Sequence, residues 1–111
     1  MEITWNDFEK IQMRVGTIIE ASTFKKAKKP AYQLIIDFGD TIGTRKSSAQ
    51  ITAHYKPEEL IGKQIIAVVN FPPKQIANFM SECLVMGIYD TNNEVVLLQP
   101  ERNVENGSIV G

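Results

Sequence analysis

Apolar and polar side chains alternate along several stretches of the chain, which is the pattern of half-buried β-strands. The clearest stretch runs from Tyr32 to Phe38, where every second residue, beginning with Tyr32, is apolar. A similar alternation over Met13–Ala21 predicts an earlier strand, and Gly16 within it indicates a bulge or a sharp bend. Three further strands are predicted, over Gly43–Ile51, Lys63–Phe71 and Ser81–Tyr89.

Prolines and turn-forming residues separate these strands. Pro57 in the first turn of the segment from Lys56 to Leu60 predicts a short helix. The turn chemistry of residues 90–94, followed by apolar Val95–Leu98, predicts a hairpin. Five main strands, a bent first strand and a helix between strands three and four favour an all-β protein. The leading candidate is a five-stranded Greek-key barrel of the OB-fold type, with an SH3-like barrel or a small sandwich as the alternative.

Length and composition fit one domain over residues 1–111 of a soluble globular protein. Of the 111 residues 43% are hydrophobic, and the single cysteine, Cys83, excludes an internal disulfide. No apolar run approaches the roughly 18–20 residues that cross a bilayer. The acidic N-terminus lacks the apolar core of a signal peptide. We therefore expect a cytoplasmic protein that does not insert into membranes.

The composition also argues against catalysis. The chain has one histidine, His54, in a polar stretch typical of a surface, and one cysteine, Cys83, in a predicted strand typical of a core. No third group is available to orient them as a nucleophile and base. Metal-ligand spacings and a phosphate-binding glycine loop are also missing. We therefore expect a protein that is not an enzyme and that needs no metal or cofactor.

Positive charge is unevenly distributed along the chain. Residues 1–77 carry 11 Lys and Arg against 8 Asp and Glu, whereas residues 78–111 carry 1 against 5. The cations that stand out are Lys25, Lys26, Lys28 and Lys29 between strands one and two, with Arg45 and Lys46 on strand three. In an OB-fold this loop borders the ligand face, so the cations could neutralise phosphates. The alternative is a solvated loop that keeps the protein soluble.

The segment that follows the fourth strand combines prolines, apolar groups and a cation. It contains Phe71, Pro72, Pro73, Lys74, Phe79 and Met80. Proline cannot donate to a sheet ladder, so the strand ends there and the chain turns. The aromatic residues either close the end of the barrel or form an exposed patch that binds apolar segments of other chains, a role that suits adaptable Met and Phe side chains.

Seven segments of the chain together resemble a known family. They are residues 7–21, 28–39, 47–52, 55–73, 81–87, 95–100 and 106–111, and the motifs IDFG, SSAQIT and VNFPP within them are the most specific. These segments span nearly the whole chain and resemble the tRNA-binding-domain family, in particular its CsaA subgroup of export-related chaperones. The resemblance implies an OB-fold that forms a homodimer through N- and C-terminal extensions, with Trp5, Phe8 and Ile11 as interface candidates.

The resemblance also implies two kinds of partner. Chaperone members bind unfolded or precursor polypeptides, for which the candidates here are Phe71, Pro72, Pro73, Phe79 and Met80. Other members bind tRNA, and Lys28, Lys29, Lys74 and Ser81 match the RNA-binding positions of that family. The export machinery is the further partner that the chaperone likeness raises.

Three positions depart from the Ser-Gln-Gly-Met segment of the tRNA-binding relatives. Glu82 and Cys83 replace the Gln-Gly, and Leu84 replaces the methionine. A carboxylate at position 82 repels phosphate, and this change favours the chaperone subgroup. The sequence therefore predicts a homodimeric chaperone that assists protein export, and the alternative is a protein that recognises the shape and phosphates of tRNA.

Overall fold

The computed structural model describes all 111 residues, and strands dominate it. Two short helices are present, α1 (Trp5–Glu9) and α2 (Pro57–Leu60). The strands are β1 (Met13–Thr23), β2 (Tyr32–Asp37), β3 (Thr44–Ala49), β4 (Gln64–Val68), β5 (Lys74–Ile76), β6 (Phe79–Ser81), β7 (Leu84–Val85), β8 (Gly87–Tyr89) and β9 (Val95–Leu97). Neither helix is long or apolar enough to cross a bilayer.

Five of the strands form one antiparallel sheet that curls into a nearly closed barrel. Their order is β3-β2-β1-β4-β7, so that β1 lies in the middle and β3 and β7 are the two ends. The 11-residue β1 pairs with β4 through its first half and with β2 through its second half. One long strand shared in this way lets the sheet curl into the nearly closed barrel, and the predicted OB-fold is confirmed.

β1 contains one bulge, and Gly16 has a separate role in packing. The register with β2 shifts between Ile18 and Glu20, so the bulge lies there and the prediction of a bulge at Gly16 is wrong. Gly16 is instead required for close packing, because a β-carbon at this position would lie 2.6 Å from Cγ2 of Ile36. Ile19 is the extra, unpaired residue of the bulge and faces solvent. The extra residue therefore reverses the face to which the following side chains point.

The core fills the barrel with the apolar side chains of β2 and its neighbours. Alternate residues Tyr32, Leu34 and Ile36 are buried, as the sequence pattern predicted. Ile18 from β1, Ile65 from β4 and Leu60 from α2 pack into the same cluster. A β-turn hairpin joins β8 to β9 where it was expected, around residues 90–94.

The predicted strand Ser81–Tyr89 is broken into three pieces. Ser81 ends β6, which pairs back on β5 in a small hairpin with its turn at Ala77, whose φ is +52°. Leu84 and Val85 form β7 on the main sheet, and Gly87–Tyr89 forms β8 on β9. The apolar run is continuous in sequence, yet each piece pairs with a different partner.

Candidate functional site

An open cleft with a volume of about 980 Å³ lies at one side of the barrel. One wall is the end of β3 and the segment that follows it, residues 48–53. The opposite wall comprises β7 and the β8–β9 hairpin, and residues 71–74 form the rim. Because β3 and β7 are the two ends of the sheet, the cleft is the place where the barrel remains open.

Two side-chain hydrogen bonds and one backbone hydrogen bond, rather than a strand ladder, join β3 to the far side of the barrel. The backbone N–H of Lys46 donates to Oε1 of Glu82 at 2.9 Å, and the N–H of Glu82 donates to the carbonyl of Lys46 at 2.7 Å. The N–H of Ser48 donates to Oγ of Ser81 at 3.1 Å. We call this group of contacts the seam clasp. It closes the barrel at positions 46–48 and leaves the cleft beyond them.

Cys83 lies beside the seam clasp and is part of the core. Its carbonyl accepts a hydrogen bond from Oγ of Ser47, which is 1% exposed, at 3.0 Å. Burial raises the pKa of the Cys83 thiol to about 12. A thiol that stays protonated is a poor nucleophile, so Cys83 acts here as a small apolar residue, as the sequence indicated.

The apolar candidates of the rim separate into two groups. Phe71, 55% exposed, lines the cleft together with Pro72 and Pro73. Phe79 instead packs edge-on against Phe24 at 5.4 Å between ring centroids, so it covers the barrel end. Met80 is exposed on β6 but does not line the cleft. The structure therefore brings only three of the five peptide-binding candidates into one surface.

Further apolar groups in the cleft were missed by sequence reasoning. Leu84 and Tyr89 line the cleft and are mostly exposed, and Ile51 is buried in its floor. The sequence had predicted residues 81–89 as one strand. In the structure Leu84 lies on β7 and Tyr89 on β8, and both face the cleft. No sequence signal marks the break between β7 and β8.

The cationic candidates also divide between the cleft and its surroundings. Lys29 and Lys74 line the cleft. Lys25, Lys26 and Lys28 are exposed in the loop between β1 and β2. Lys46 is half-buried with its Nζ 5.2 Å from the centre of the Phe79 ring, and Arg45 is half-buried beside it on β3. Ser81 lines the cleft and accepts a bond in the seam clasp.

A polar contact holds the hairpin wall of the cleft against the segment after β3. Nε2 of His54 lies 2.7 Å from Oδ2 of Asp90. Backbone hydrogen bonding from Glu94, together with the contact to His54, lowers the pKa of Asp90. The hydroxyl of Tyr55 accepts a bond from the N–H of Leu97 at 3.0 Å. His54 therefore has a clear structural role.

A second apolar surface lies at the N-terminus, away from the residues that line the cleft. Trp5 and Ile11 are exposed, and the ring of Trp5 packs against Phe8 at 5.3 Å between centroids. A small pocket of about 310 Å³ lies between α1 and the C-terminal Gly111. Of the three interface candidates, Trp5 and Phe8 thus lie on α1 and Ile11 lies two residues after its end. Elsewhere, the structure holds no cluster of His, Cys, Asp and Glu side chains that could bind a metal.

Comparison with known families and curated proteins identifies related sequences. A family model described as "Putative tRNA binding domain" matches residues 13–109. The methionine–tRNA ligase of Methanococcus aeolicus is 41% identical over 105 residues, which cover 95% of this chain and 15% of the ligase. The ligase of Methanococcoides burtonii is 35% identical over 108 residues, covering 97% of this chain and 16% of the ligase. This chain thus spans about one-sixth of the length of these relatives.

Solved structures match over the full length of the chain. The CsaA chaperone protein of Picrophilus torridus is 59% identical with a TM-score of 0.93, and the match covers 99% of this chain and 100% of that one. The chaperone CsaA of Bacillus anthracis is 49% identical with a TM-score of 0.94 and complete coverage of both chains. A MetRS-related protein of Pyrococcus horikoshii is 33% identical with a TM-score of 0.87, again with complete coverage.

The sequence and structure comparisons agree with each other and with the barrel described above. The family model covers almost the whole sheet, and the full-length structural matches include the N- and C-terminal segments that it leaves out. The chain therefore belongs to the tRNA-binding domain family, and within that family it is similar over its full length to CsaA chaperones.

Proposed function

We propose that this protein is a chaperone whose cleft binds apolar segments of unfolded or precursor polypeptides without a cofactor. The observation that carries the proposal is the cleft itself, about 980 Å³ in volume, with exposed Phe71, Leu84 and Tyr89 around it. Contiguous apolar surface that remains exposed on a small protein commonly marks a binding site. The full-length similarity to CsaA chaperones supports the same proposal.

Suppression of the aggregation of a denatured client protein tests this proposal. We expect the wild-type protein to reduce light scattering at a stoichiometric ratio to the client. Phe71→Ala should weaken the effect, because the rim loses a large exposed apolar group. Met80→Ala is the matched control, since Met80 is also exposed and apolar but lies outside the cleft.

Two results of this assay would count against the proposal in different ways. No suppression by the wild-type protein would reject the chaperone activity. Equal loss in Phe71→Ala and Met80→Ala would reject the cleft as the place of binding while leaving the activity intact. Assistance of protein export in the cytoplasm is a finer part of the proposal, and co-purification of precursor polypeptides that still carry their signal sequences tests it.

Binding of tRNA is a second candidate function, and the distribution of cations favours it. Lys29 and Lys74 line the cleft, and three more lysines are exposed in the loop before Lys29. Exposed lysines bind phosphates through salt-dependent contacts. The match to the tRNA-binding family supports this function as well. A gel shift with micromolar tRNA at low salt tests it, and absence of any shift would reject it.

The proposed assembly is a homodimer formed through the N-terminal apolar surface. Trp5 and Phe8 on α1, together with Ile11 just after it, present apolar area, and the helix buries no residue of its own. A helix of five residues is too short to be stable alone in water. Packing against the same helix of a second copy would stabilise it. The exposed apolar surface and the shortness of the helix therefore both support a homodimer.

A further inference from the structure

The edge strand β3 faces the cleft, and the backbone groups just beyond its end lack partners. Alternate residues of an edge strand point their N–H and C=O groups away from the sheet. In β3 these are Lys46 and Ser48, whose N–H groups are bound by Glu82 and Ser81 in the seam clasp. Gln50 is the next residue in this alternation and lines the cleft. Its backbone forms no hydrogen bond within the chain.

The opposite edge of the cleft has the same property. The N–H of Met86 donates to the carbonyl of Ile66 in β4 at 2.9 Å, so the residues that alternate with Met86 face outward. Cys83 is one of them, and its carbonyl is bound by Ser47. Val85 is the next, and it lines the cleft. No strand pairs with this edge, since β7 ends the sheet.

The two edges that border the cleft run in the same direction. Each neighbouring pair in the order β3-β2-β1-β4-β7 is antiparallel, so β3 and β7 run in the same direction. A single strand laid antiparallel to β3 is therefore antiparallel to β7 as well. Strands pair at a spacing of about 4.8 Å, and a regular ladder on both sides satisfies donors and acceptors alternately.

We propose that the cleft binds its polypeptide as an added β-strand, which pairs through its backbone with Gln50 on one side and Val85 on the other. The inference rests on the proposed chaperone function and specifies how the client is held. An extended polypeptide supplies both N–H donors and C=O acceptors at the strand repeat, whereas RNA phosphates supply acceptors alone. Backbone pairing would also let the cleft accept many client sequences, with Phe71, Leu84 and Tyr89 contacting alternate side chains.

Peptide N-methylation tests the inference because it removes amide donors while it keeps the side chains. The probe is a fluorescent seven-residue peptide of valine and leucine with a lysine at each end for solubility. Two further versions carry N-methyl groups on either set of alternate amides. We expect the parent to bind, and at least one methylated version to lose about tenfold or more in affinity.

The outcomes of this titration separate the inference from the proposed function. Equal affinity of all three peptides would overturn strand addition while leaving peptide binding in place. No binding of any peptide would overturn both. Loss of affinity in one methylated version alone would also identify which amides face the protein.

A variant pair tests the same contact from the side of the protein. Gln50→Pro removes the backbone donor at an edge position, where proline is tolerated, and Gln50→Ala keeps that donor. We expect the proline variant to bind the parent peptide about fivefold more weakly or worse, and the alanine variant to bind it normally. Equal binding by both variants would contradict the inference.

Amide hydrogen exchange on the wild-type protein decides the matter if Gln50→Pro does not fold. We expect the amides of Gln50 and Val85 to exchange more slowly once the parent peptide is bound. Unchanged exchange at both positions would overturn the inference. Protection of these amides by tRNA instead of by the peptide would overturn it too, because the free edges would then belong to the RNA site.

Discussion

Glu82 has a structural role at the barrel seam that its sequence context did not reveal. The residue departs from the pattern of the tRNA-binding relatives, and its carboxylate was expected mainly to repel phosphate. In the structure Oε1 of Glu82 accepts the backbone N–H of Lys46 in β3. The 36 residues that separate these two groups explain why local sequence gave no indication of the contact.

The Glu82 contact leads to a prediction about stability. Glu82→Ala leaves the Lys46 N–H without its acceptor and should lower the free energy of unfolding by about 1 kcal/mol. Glu82→Gln retains an acceptor oxygen at the same position, so it should lower the free energy of unfolding clearly less than Glu82→Ala does. Urea denaturation of the three proteins measures the difference. Identical midpoints for the alanine variant and the wild type would show that the seam clasp does not depend on this side chain.

Cys83 leads to a prediction about pH. Burial raises the pKa of its thiol from 9.0 to about 12, so the unfolded chain loses this proton at lower pH than the folded one. The stability that the buried, protonated thiol contributes is therefore fully present below pH 9, and it is lost as pH rises toward 12. Relative to Cys83→Ala, the wild-type protein should lose about 1.4 kcal/mol of stability between pH 8 and pH 10. A pH-independent difference would contradict the burial of the thiol.

Single residues were predicted well where one local rule decides their environment. The alternation of Tyr32, Leu34 and Ile36 places them in the core, and Cys83 is buried as a small apolar residue. Gly16 shows the limit of such reasoning, because glycine serves bulges and close packing equally well. The packing partners that distinguish the two cases, above all Ile36, come from another strand.

At the scale of elements, the lysine loop carries a prediction for RNA binding. Replacing Lys28 and Lys29 by glutamine should weaken tRNA binding and reduce the slope of log affinity against log salt by about two. Lys56→Gln with Lys63→Gln is the control, since neither of these lysines lines the cleft or belongs to the loop. Electrophoretic mobility shifts at several salt concentrations give the slopes. If the control double variant weakened tRNA binding as much as the Lys28 and Lys29 variant, the lysine loop would have no specific role in RNA binding.

Element types were easier to predict than the partners of each strand. The strands β1 to β4, helix α2 and the β8–β9 hairpin lie close to their predicted positions. The segment Ser81–Tyr89 was predicted as one strand because its apolar residues are continuous. In the structure its three parts pair with β5, β4 and β9 in turn. The pattern of apolar residues does not show where one partner strand gives way to the next.

For the molecule as a whole, the proposed homodimer is a separate prediction. Analytical ultracentrifugation should give twice the monomer mass of 12.5 kDa. Trp5→Asp with Ile11→Asp should shift the mass toward the monomer, because each change places a charge on the apolar surface. Ile61→Asp serves as the control, since Ile61 is an exposed apolar residue outside that surface. A wild-type protein that sediments at the monomer mass would contradict the proposal.

The cleft could not be located from the sequence, although several of its residues were singled out. Phe71, Pro72 and Pro73 stood out because prolines end a strand, and Lys29 and Lys74 because of their charge. Their convergence depends on the open seam between β3 and β7, a property of the whole barrel. Phe79 and Met80 are near in sequence but do not line the cleft, since the β5–β6 hairpin turns them away.

The location of bound polypeptide on the molecule is the central claim, and amide chemical shifts measure it most directly. The measurement is a titration of the isotope-labelled protein with the seven-residue valine–leucine peptide, followed by two-dimensional NMR. The account predicts that the largest shifts fall on residues 48–53, 71–74 and 84–89. Shifts confined to α1, or the absence of any shift at saturating peptide, would contradict it.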